Sequence, residues 1–228
     1  MQNTQISKVT IREVIICSLI VGFINLSFFY LTKDNAWVSD DYPYIYSPKL
    51  LNLINEQLFY FKEAFSYQEN RFIPFYWLSH QFIPDSPTVW HAIVVSFYFL
   101  SSIVVFLLSK KLTADQDISL LASVLYSIHY SITIKSLSWN IFYGHIANAL
   151  LGFFSIFLFI LFIEKNKKIY LLFYMLLIVF GSMIYESALI FPIITFCFCV
   201  MLRKKNLFKH LFLSLSPIII YILLVFNF

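Results

Sequence analysis

Charged residues are scarce in this sequence. Asp, Glu, Lys and Arg make up 12% of its 228 residues, about half of their share in an ordinary soluble domain. Hydrophobic residues make up 60% of the chain, and the mean hydropathy is +0.79. This composition is unlike that of a soluble enzyme and favours a protein that lies within a lipid bilayer. The net charge of +4 is then no sign of nucleic-acid binding, because the location of the basic residues matters more than their sum.

Glycine is also scarce, with 4 residues against 27 Phe and 15 Tyr. We therefore expect few close helix crossings through small residues, and packing by bulky aromatic side chains instead. The 3 cysteines, Cys17, Cys197 and Cys199, all fall within apolar runs. This placement excludes a disulfide in a polar loop and predicts buried thiols, and the spacing of Cys197 and Cys199 is not that of a zinc or redox pair.

Seven uncharged runs are candidates for membrane spans. A hydrocarbon core of about 30 Å needs about 20 helical residues, so the last three runs are short unless flanking residues join them. The first run is predicted to be a retained anchor, because it is long for a signal peptide and lacks a small-residue cleavage site. The sequence thus predicts an all-α, polytopic membrane protein with about seven transmembrane helices in one membrane domain, 1–228. The runs are Val14–Leu31, Val89–Leu108, Ile118–Ile134, Ile146–Ile163, Ile169–Ile184, Ala188–Leu202 and Leu211–Phe226.

The basic residues predict the orientation of these spans, since Lys and Arg near span ends stay on the cytoplasmic side. Of the 16 Lys and Arg, 5 fall on one side of the predicted membrane, at Lys33, Lys49, Lys62, Arg71 and Lys135, and the rest fall on the other. We therefore expect a cytoplasmic N-terminus and an extracytoplasmic C-terminus, in the inner (plasma) membrane of a bacterium.

The segment 33–88 is then a long extracytoplasmic loop. Ser47-Pro48 is typical of a helix N-cap and first position, and the following apolar residues, including Leu51, Leu58 and Phe65, recur at helical spacing. This pattern predicts an amphipathic helix that lies along the membrane surface. Six further spans follow in 89–228.

Two adjacent carboxylates, Asp40 and Asp41 in WVSDDYPYIYSPKLL, stand where the chain leaves the first span. Neighbouring acids at a membrane boundary repel each other and are partly desolvated, which makes one of them fit to accept a proton. The alternative is a solvated loop start that only ends the helix.

Four other polar residues lie beside span ends on the same predicted side. Ionisable groups at membrane depth are costly, so they are candidates for function, although each could instead be a single interfacial side chain. They are Arg71, Lys135, His145 and Glu186.

The motifs SDDYPYI, NRFIPFYWLSHQF, SVLYSIHYSITIKSLSWNIFYGHIANALLGFFSIFLFILF and YESALIFPI together resemble the GT-C superfamily of polyprenyl-phosphate-sugar-dependent glycosyltransferases, in its bacterial and TMTC-like members. The resemblance covers nearly the whole chain and implies the N-terminal seven-span module of that group. In most members further spans follow, so the chain could be a minimal member, a truncated product or a part that needs another subunit.

The resemblance implies a hexosyltransferase that moves a sugar from a polyprenyl-phosphate carrier to an unidentified extracytoplasmic acceptor with inversion. Asp40 would be the catalytic base and Asp41 its acceptor-orienting neighbour, while Arg71, Lys135, His145 and Glu186 would bind substrate. No certain cofactor is implied; some relatives use a divalent metal and others do not. The chain departs from the family pattern at Tyr185, where Lys is common, and at Tyr130, where Pro is common.

Two other interpretations stay open. One is a non-catalytic protein of the same architecture, either an inactive remnant or an accessory subunit in envelope polysaccharide assembly. The other is a transporter, which would place ionisable or broken-helix sites near the midplane of paired repeats. The sequence shows charges at span ends and no internal repeat, which favours the transferase.

Overall fold

A computed structural model describes residues 9–32, 82–83, 86–129, 143–202 and 207–226. The regular elements within these ranges are helices. Seven are α-helices, and one short 3₁₀ helix lies between the fifth and the sixth of them. In chain order they are α1 (Ile11–Thr32), α2 (Pro87–Thr113), α3 (Gln116–Ile128), α4 (Tyr143–Lys165), α5 (Lys168–Ile184), the 3₁₀ helix (Glu186–Leu189), α6 (Ile190–Leu202) and α7 (Leu207–Phe226).

Each α-helix coincides with one of the seven predicted apolar runs, so the all-helical prediction is confirmed for the described residues. Three helices are long and apolar enough to cross a membrane, and they span Ile11–Leu31, Pro87–Thr113 and Gly144–Lys165. The other four are apolar but shorter over their described residues. Helices that could cross a membrane are therefore present, whereas a count of seven spans goes beyond what length and composition show.

Local side-chain bonds fix where α1 and α3 begin. Thr10 and Glu13 form a capping box, in which the Glu13 carboxylate accepts from the Thr10 N–H at 2.8 Å and the Thr10 hydroxyl accepts from the Glu13 N–H at 3.3 Å. At α3, the Asp115 carboxylate accepts from the N–H groups of Asp117 and Ile118 at 2.8 and 3.0 Å. These bonds satisfy N–H groups that a helix start would otherwise leave without partners.

The helices form two groups that meet where α2 contacts α4. In the first group, α2 packs against α1 and α3, and α1 also contacts α3. In the second group, α4 packs against α5 and α6, while α7 contacts α5 and α6. We call these the α1–α3 group and the α4–α7 group.

Two partly buried ion pairs join three of these helices at one end. The Lys110 ammonium lies 2.7 Å from the Glu13 carboxylate, and the next residue, Lys111, lies 2.9 Å from the carboxylate of Glu164. The start of α1 and the ends of α2 and α4 are therefore on the same side of the molecule. We call this side the ion-pair end.

The polarity of α3 is inverted relative to a helix of a soluble protein. Its buried residues are Ser119, Ser123 and Ser127, which recur every four residues along one face. Its opposite face is apolar and exposed, at Ile118, Leu121, Leu125 and Ile128. Small polar residues inside and large apolar residues outside are what a lipid environment favours.

The buried face of α3 forms a hydrogen-bonded seam with α1 and α2. The Ser123 hydroxyl donates to the Ser102 carbonyl at 2.7 Å, and the Ser127 hydroxyl donates to that of Ser102 at 2.9 Å. The Cys17 sulfur lies 3.5 Å from the Ser123 hydroxyl. We call these residues the serine seam.

The α4–α7 group packs mainly through rings. Phe159 and Tyr174 join α4 to α5 with centroids 4.8 Å apart, and Phe153 and Phe191 join α4 to α6 with centroids 5.5 Å apart. The Phe191 ring occupies the space beside Gly152, where a Cβ would collide with it. Glycine is needed at 152 because an aromatic ring approaches the α4 backbone there.

α7 contains Pro217, which has no N–H to donate to the Leu213 carbonyl. The Ser216 hydroxyl donates to that carbonyl at 2.8 Å instead. The helix therefore continues through the proline without an unsatisfied backbone oxygen at this point.

Three expectations from the sequence need correction. The thiol of Cys197 is exposed, whereas those of Cys17 and Cys199 are buried; Cys197 and Cys199 are two residues apart on α6 and so face in different directions. Packing by bulky aromatic side chains was expected throughout, whereas α2 and α3 are also joined by hydrogen-bonded serines.

The third correction concerns the end of α3, which was predicted to continue to Ile134. The helix ends at Ile128, and His129 has an extended backbone. The Tyr98 hydroxyl donates to the Tyr126 carbonyl, and the His129 N–H donates to the same oxygen. The bond from the His129 N–H spans three residues instead of the four of an α-helix, and the Tyr98 hydroxyl of α2 joins it at this last turn of α3.

Candidate functional site

Four of the six predicted site residues, Asp40, Asp41, Arg71 and Lys135, lie outside the described residues, as does the predicted amphipathic helix. The other two are placed by the structure. His145 lies in the first turn of α4, and Glu186 is the first residue of the 3₁₀ helix.

The structure brings the His145 position close to the chain at Glu186. The rings of His145 and Tyr185, the residue before Glu186, meet edge to face with centroids 4.2 Å apart and planes at 63°. Tyr185 has an extended backbone that separates α5 from the 3₁₀ helix. Two predicted residues that are far apart in sequence therefore belong to adjacent parts of the bundle.

Asn148 forms hydrogen bonds with the chain that connects α5 to α6. Its side-chain amide nitrogen donates to the Tyr185 carbonyl at 3.1 Å and to the Ser187 hydroxyl at 3.0 Å. These two acceptors lie on either side of Glu186. Asn148 is only 1% exposed, and both bonds are partly buried.

The oxygen of the Asn148 amide differs from the nitrogen in its contacts. Its Oδ1 is buried and has no hydrogen-bond partner among the described residues. It lies against Gly181 in the last turn of α5, where an added Cβ would be 2.7 Å away. Gly181 therefore provides the space that Asn148 needs to reach Tyr185 and Ser187.

This site lies at the opposite end of α4 from the ion pair with Lys111. From His145 to Glu164, α4 rises about 28 Å at about 1.5 Å per residue, close to the hydrocarbon thickness of about 30 Å. His145, Asn148 and the 3₁₀ helix are thus near one membrane boundary when the ion-pair end is near the other. This separation agrees with the predicted grouping of basic residues on the opposite side.

The described part of the site offers an imidazole, a tyrosine ring, an amide and a hydroxyl. These groups can bind and orient a polar molecule, and none of them is a strong base or a cation at neutral pH. Among residues that the structure describes, there is no group of three or more His, Cys, Asp and Glu that could hold a metal ion.

Sequence reasoning named His145 and Glu186 but missed Asn148, Ser187 and Gly181. A signal was present in GHIANA: an amide inside an apolar helix must find a partner, and Asn148 lies three residues after His145 on the same face. Tyr185 was regarded only as a missing lysine, whereas its ring and its carbonyl both take part in the site.

No protein-family model matches this chain, and neither the curated proteins nor the solved structures contain a significant match to it.

Proposed function

We propose that this protein is an integral membrane glycosyltransferase of the GT-C type, which transfers a sugar from a polyprenyl-phosphate carrier to an extracytoplasmic acceptor with inversion. The lipid carrier would enter sideways from the bilayer, and the polar acceptor would enter from the aqueous side. The proposal rests mainly on the motifs in the sequence, since its reacting groups lie outside the described residues.

One observation in the structure supports the proposal. His145 and the chain beside Glu186, which the sequence assigns to a common substrate site, meet through the contact between His145 and Tyr185. They meet at the end of α4 that is remote from the ion pair of Lys111 with Glu164. A substrate site on the extracytoplasmic side requires this arrangement.

The proposed topology has seven spans with a cytoplasmic N-terminus. The inverted polarity of α3 supports the inclusion of this short helix in the membrane. The shared location of the α1 start and the α2 and α4 ends supports the predicted alternation of direction.

In the proposed reaction, the acceptor hydroxyl oxygen attacks the anomeric carbon while the bond from that carbon to the phosphate oxygen breaks. Asp40 accepts the hydroxyl proton, because a hydroxyl is a weak nucleophile without a base near it. The phosphate leaves with the electron pair, and Arg71 and Lys135 stabilise its charge. Asp41 orients the acceptor.

The test is to replace Asp40 and Asp41 by Asn, singly and together, and to measure release of lipid phosphate from a labelled polyprenyl-phosphate sugar. We expect Asp40→Asn to reduce turnover by at least about 100-fold, the lower end of what a general base contributes. Membrane insertion should be unchanged.

Asp117→Asn is the matched control, since Asp117 is an exposed carboxylate in the first turn of α3, near the ion-pair end. Wild-type turnover in both single variants and in the double variant would contradict the catalytic assignment. Absence of turnover in the wild type would favour the accessory-subunit interpretation, and substrate-driven uptake into vesicles would favour the transporter.

A further inference from the structure

The contacts of α4 with the chain near Glu186 come from one face of the helix. His145 and Asn148 are three residues apart, so they lie one above the other on that face. His145 contacts the Tyr185 ring, and Asn148 binds the Tyr185 carbonyl and the Ser187 hydroxyl. The residue between these two acceptors, Glu186, is thus held from both sides along the backbone.

We propose that Asn148 is a positioning residue, which fixes the path of the 3₁₀ helix and so the place of Glu186 at the membrane boundary. The effect on the segment follows from the contacts of Asn148 alone. Its consequence for catalysis rests on the proposed glycosyltransferase function, in which Glu186 binds substrate.

The chemistry of the amide explains why asparagine is suited to this task. An amide nitrogen carries two hydrogens and can serve two acceptors at once, whereas a hydroxyl carries one and an ionised carboxylate carries none. Asn148 uses both hydrogens on Tyr185 and Ser187. Its Oδ1 has no partner among the described residues, so the donated bonds are the polar contacts that the structure shows for this side chain.

The segment that Asn148 contacts is short. The 3₁₀ helix has only four residues, and the Ala188 N–H donates to the same Tyr185 carbonyl at 3.1 Å. Short 3₁₀ helices have poor hydrogen-bond geometry, so the amide from α4 reinforces a turn that is weak by itself. Removal of Asn148 should therefore loosen this turn before it affects the rest of the bundle.

Amide hydrogen exchange of the purified full chain measures this loosening directly. We expect exchange of the amides in Glu186–Leu189 to accelerate about eightfold in Asn148→Leu, which removes both bonds and keeps the number of side-chain heavy atoms. This value follows from the usual strength of interhelical hydrogen bonds in membranes. Ser187→Ala removes one acceptor and should give about threefold.

The double variant Asn148→Leu with Ser187→Ala separates positioning from general destabilisation. Its exchange in Glu186–Leu189 should equal that of Asn148→Leu alone, because the bond that Ser187 makes is already absent. In sugar transfer, the Asn148 variants should raise KM with kcat unchanged, as expected for loss of substrate binding.

Asn25→Leu is the matched control. Asn25 is also a buried asparagine whose Oδ1 has no partner among the described residues, but its amide donates at 2.8 Å to the Val21 carbonyl of its own helix. It should leave exchange in Glu186–Leu189 unchanged.

Unchanged exchange in Asn148→Leu, or additive effects in the double variant, would overturn the proposal. If Asn148→Leu accelerates exchange in all helices, the result for Ser187→Ala is decisive, since this variant retains the bond from Asn148 to the Tyr185 carbonyl. The expected exchange pattern without any sugar transfer by the wild type would leave the positioning role intact and contradict the glycosyltransferase.

Discussion

The α1–α3 group and the α4–α7 group hold their helices together with different side chains. In the first, serine and cysteine form hydrogen bonds across the serine seam, as between Ser123 and Ser102. In the second, rings interlock between helices, as between Phe159 and Tyr174. Both groups have apolar residues on their outer surface.

The difference is instructive because burial of apolar surface cannot bring helices together in lipid, where the surroundings are as apolar as leucine. Helices must associate through close packing or through polar bonds, and the ring pairs and the serine seam are an example of each. Packing of rings should contribute more per residue, since a large buried side chain makes many contacts. The two groups should therefore differ in their sensitivity to substitution.

The largest expected effect is in the α4–α7 group. Phe159 is fully buried between α4 and α5, and Phe159→Ala should lower the free energy of unfolding by about 3–5 kcal/mol through the cavity that it leaves. Thermal unfolding in detergent would measure this change. Phe154→Ala, at an exposed ring on the same helix, should have little effect; equal losses in the two variants would mean that ring packing is not what holds this group.

The next effect should come from the close contact of Gly152 with Phe191. Gly152→Ala places a Cβ where the Phe191 ring lies and should cost about 1–3 kcal/mol, as overpacking does. The same unfolding measurement should show partial recovery when Phe191→Leu is added. If the second change makes the protein less stable instead, the two residues are not in conflict.

The smallest effect should be in the serine seam. Ser123→Ala removes a bond to the Ser102 carbonyl and should cost about 0.6 kcal/mol, the usual value for a hydrogen bond between membrane helices. Ser96→Ala is the control, because the exposed Ser96 hydroxyl donates only to Ala92 of its own helix. A loss for Ser123→Ala as large as that for Phe159→Ala would remove the contrast between the groups.

The positions of the seven α-helices that the structure describes could be predicted from the sequence, because uncharged runs bounded by charges are a strong signal for helices in a membrane protein. Their ends were harder to predict. α3 ends where the Tyr98 hydroxyl reaches the Tyr126 carbonyl, and this contact between two helices leaves no mark in the local sequence.

The packing was predicted only in part. The abundance of Phe indicated ring packing, which the α4–α7 group shows. The serine seam was missed because glycine was taken as the sign of close crossings, although Ser119, Ser123 and Ser127 recur at helical spacing and could have revealed it.

For the candidate site, the sequence indicated His145 and Glu186 as parts of one site. It did not indicate Asn148, because the role of a single polar residue within an apolar run depends on contacts with residues that are distant in the sequence. Gly181 was missed for the same reason: its role is the absence of a side chain beside Asn148.

The ion pairs of two consecutive lysines near the end of α2 restrict the rotation of this helix about its axis. Adjacent side chains on an α-helix point about 100° apart, so Lys110 and Lys111 can reach Glu13 on α1 and Glu164 on α4 only at one angular setting. Inserting or deleting a single residue just before Lys110 would turn both ammonium groups away from their acids together. The register of α2 at this end is therefore tied to α1 and α4 together.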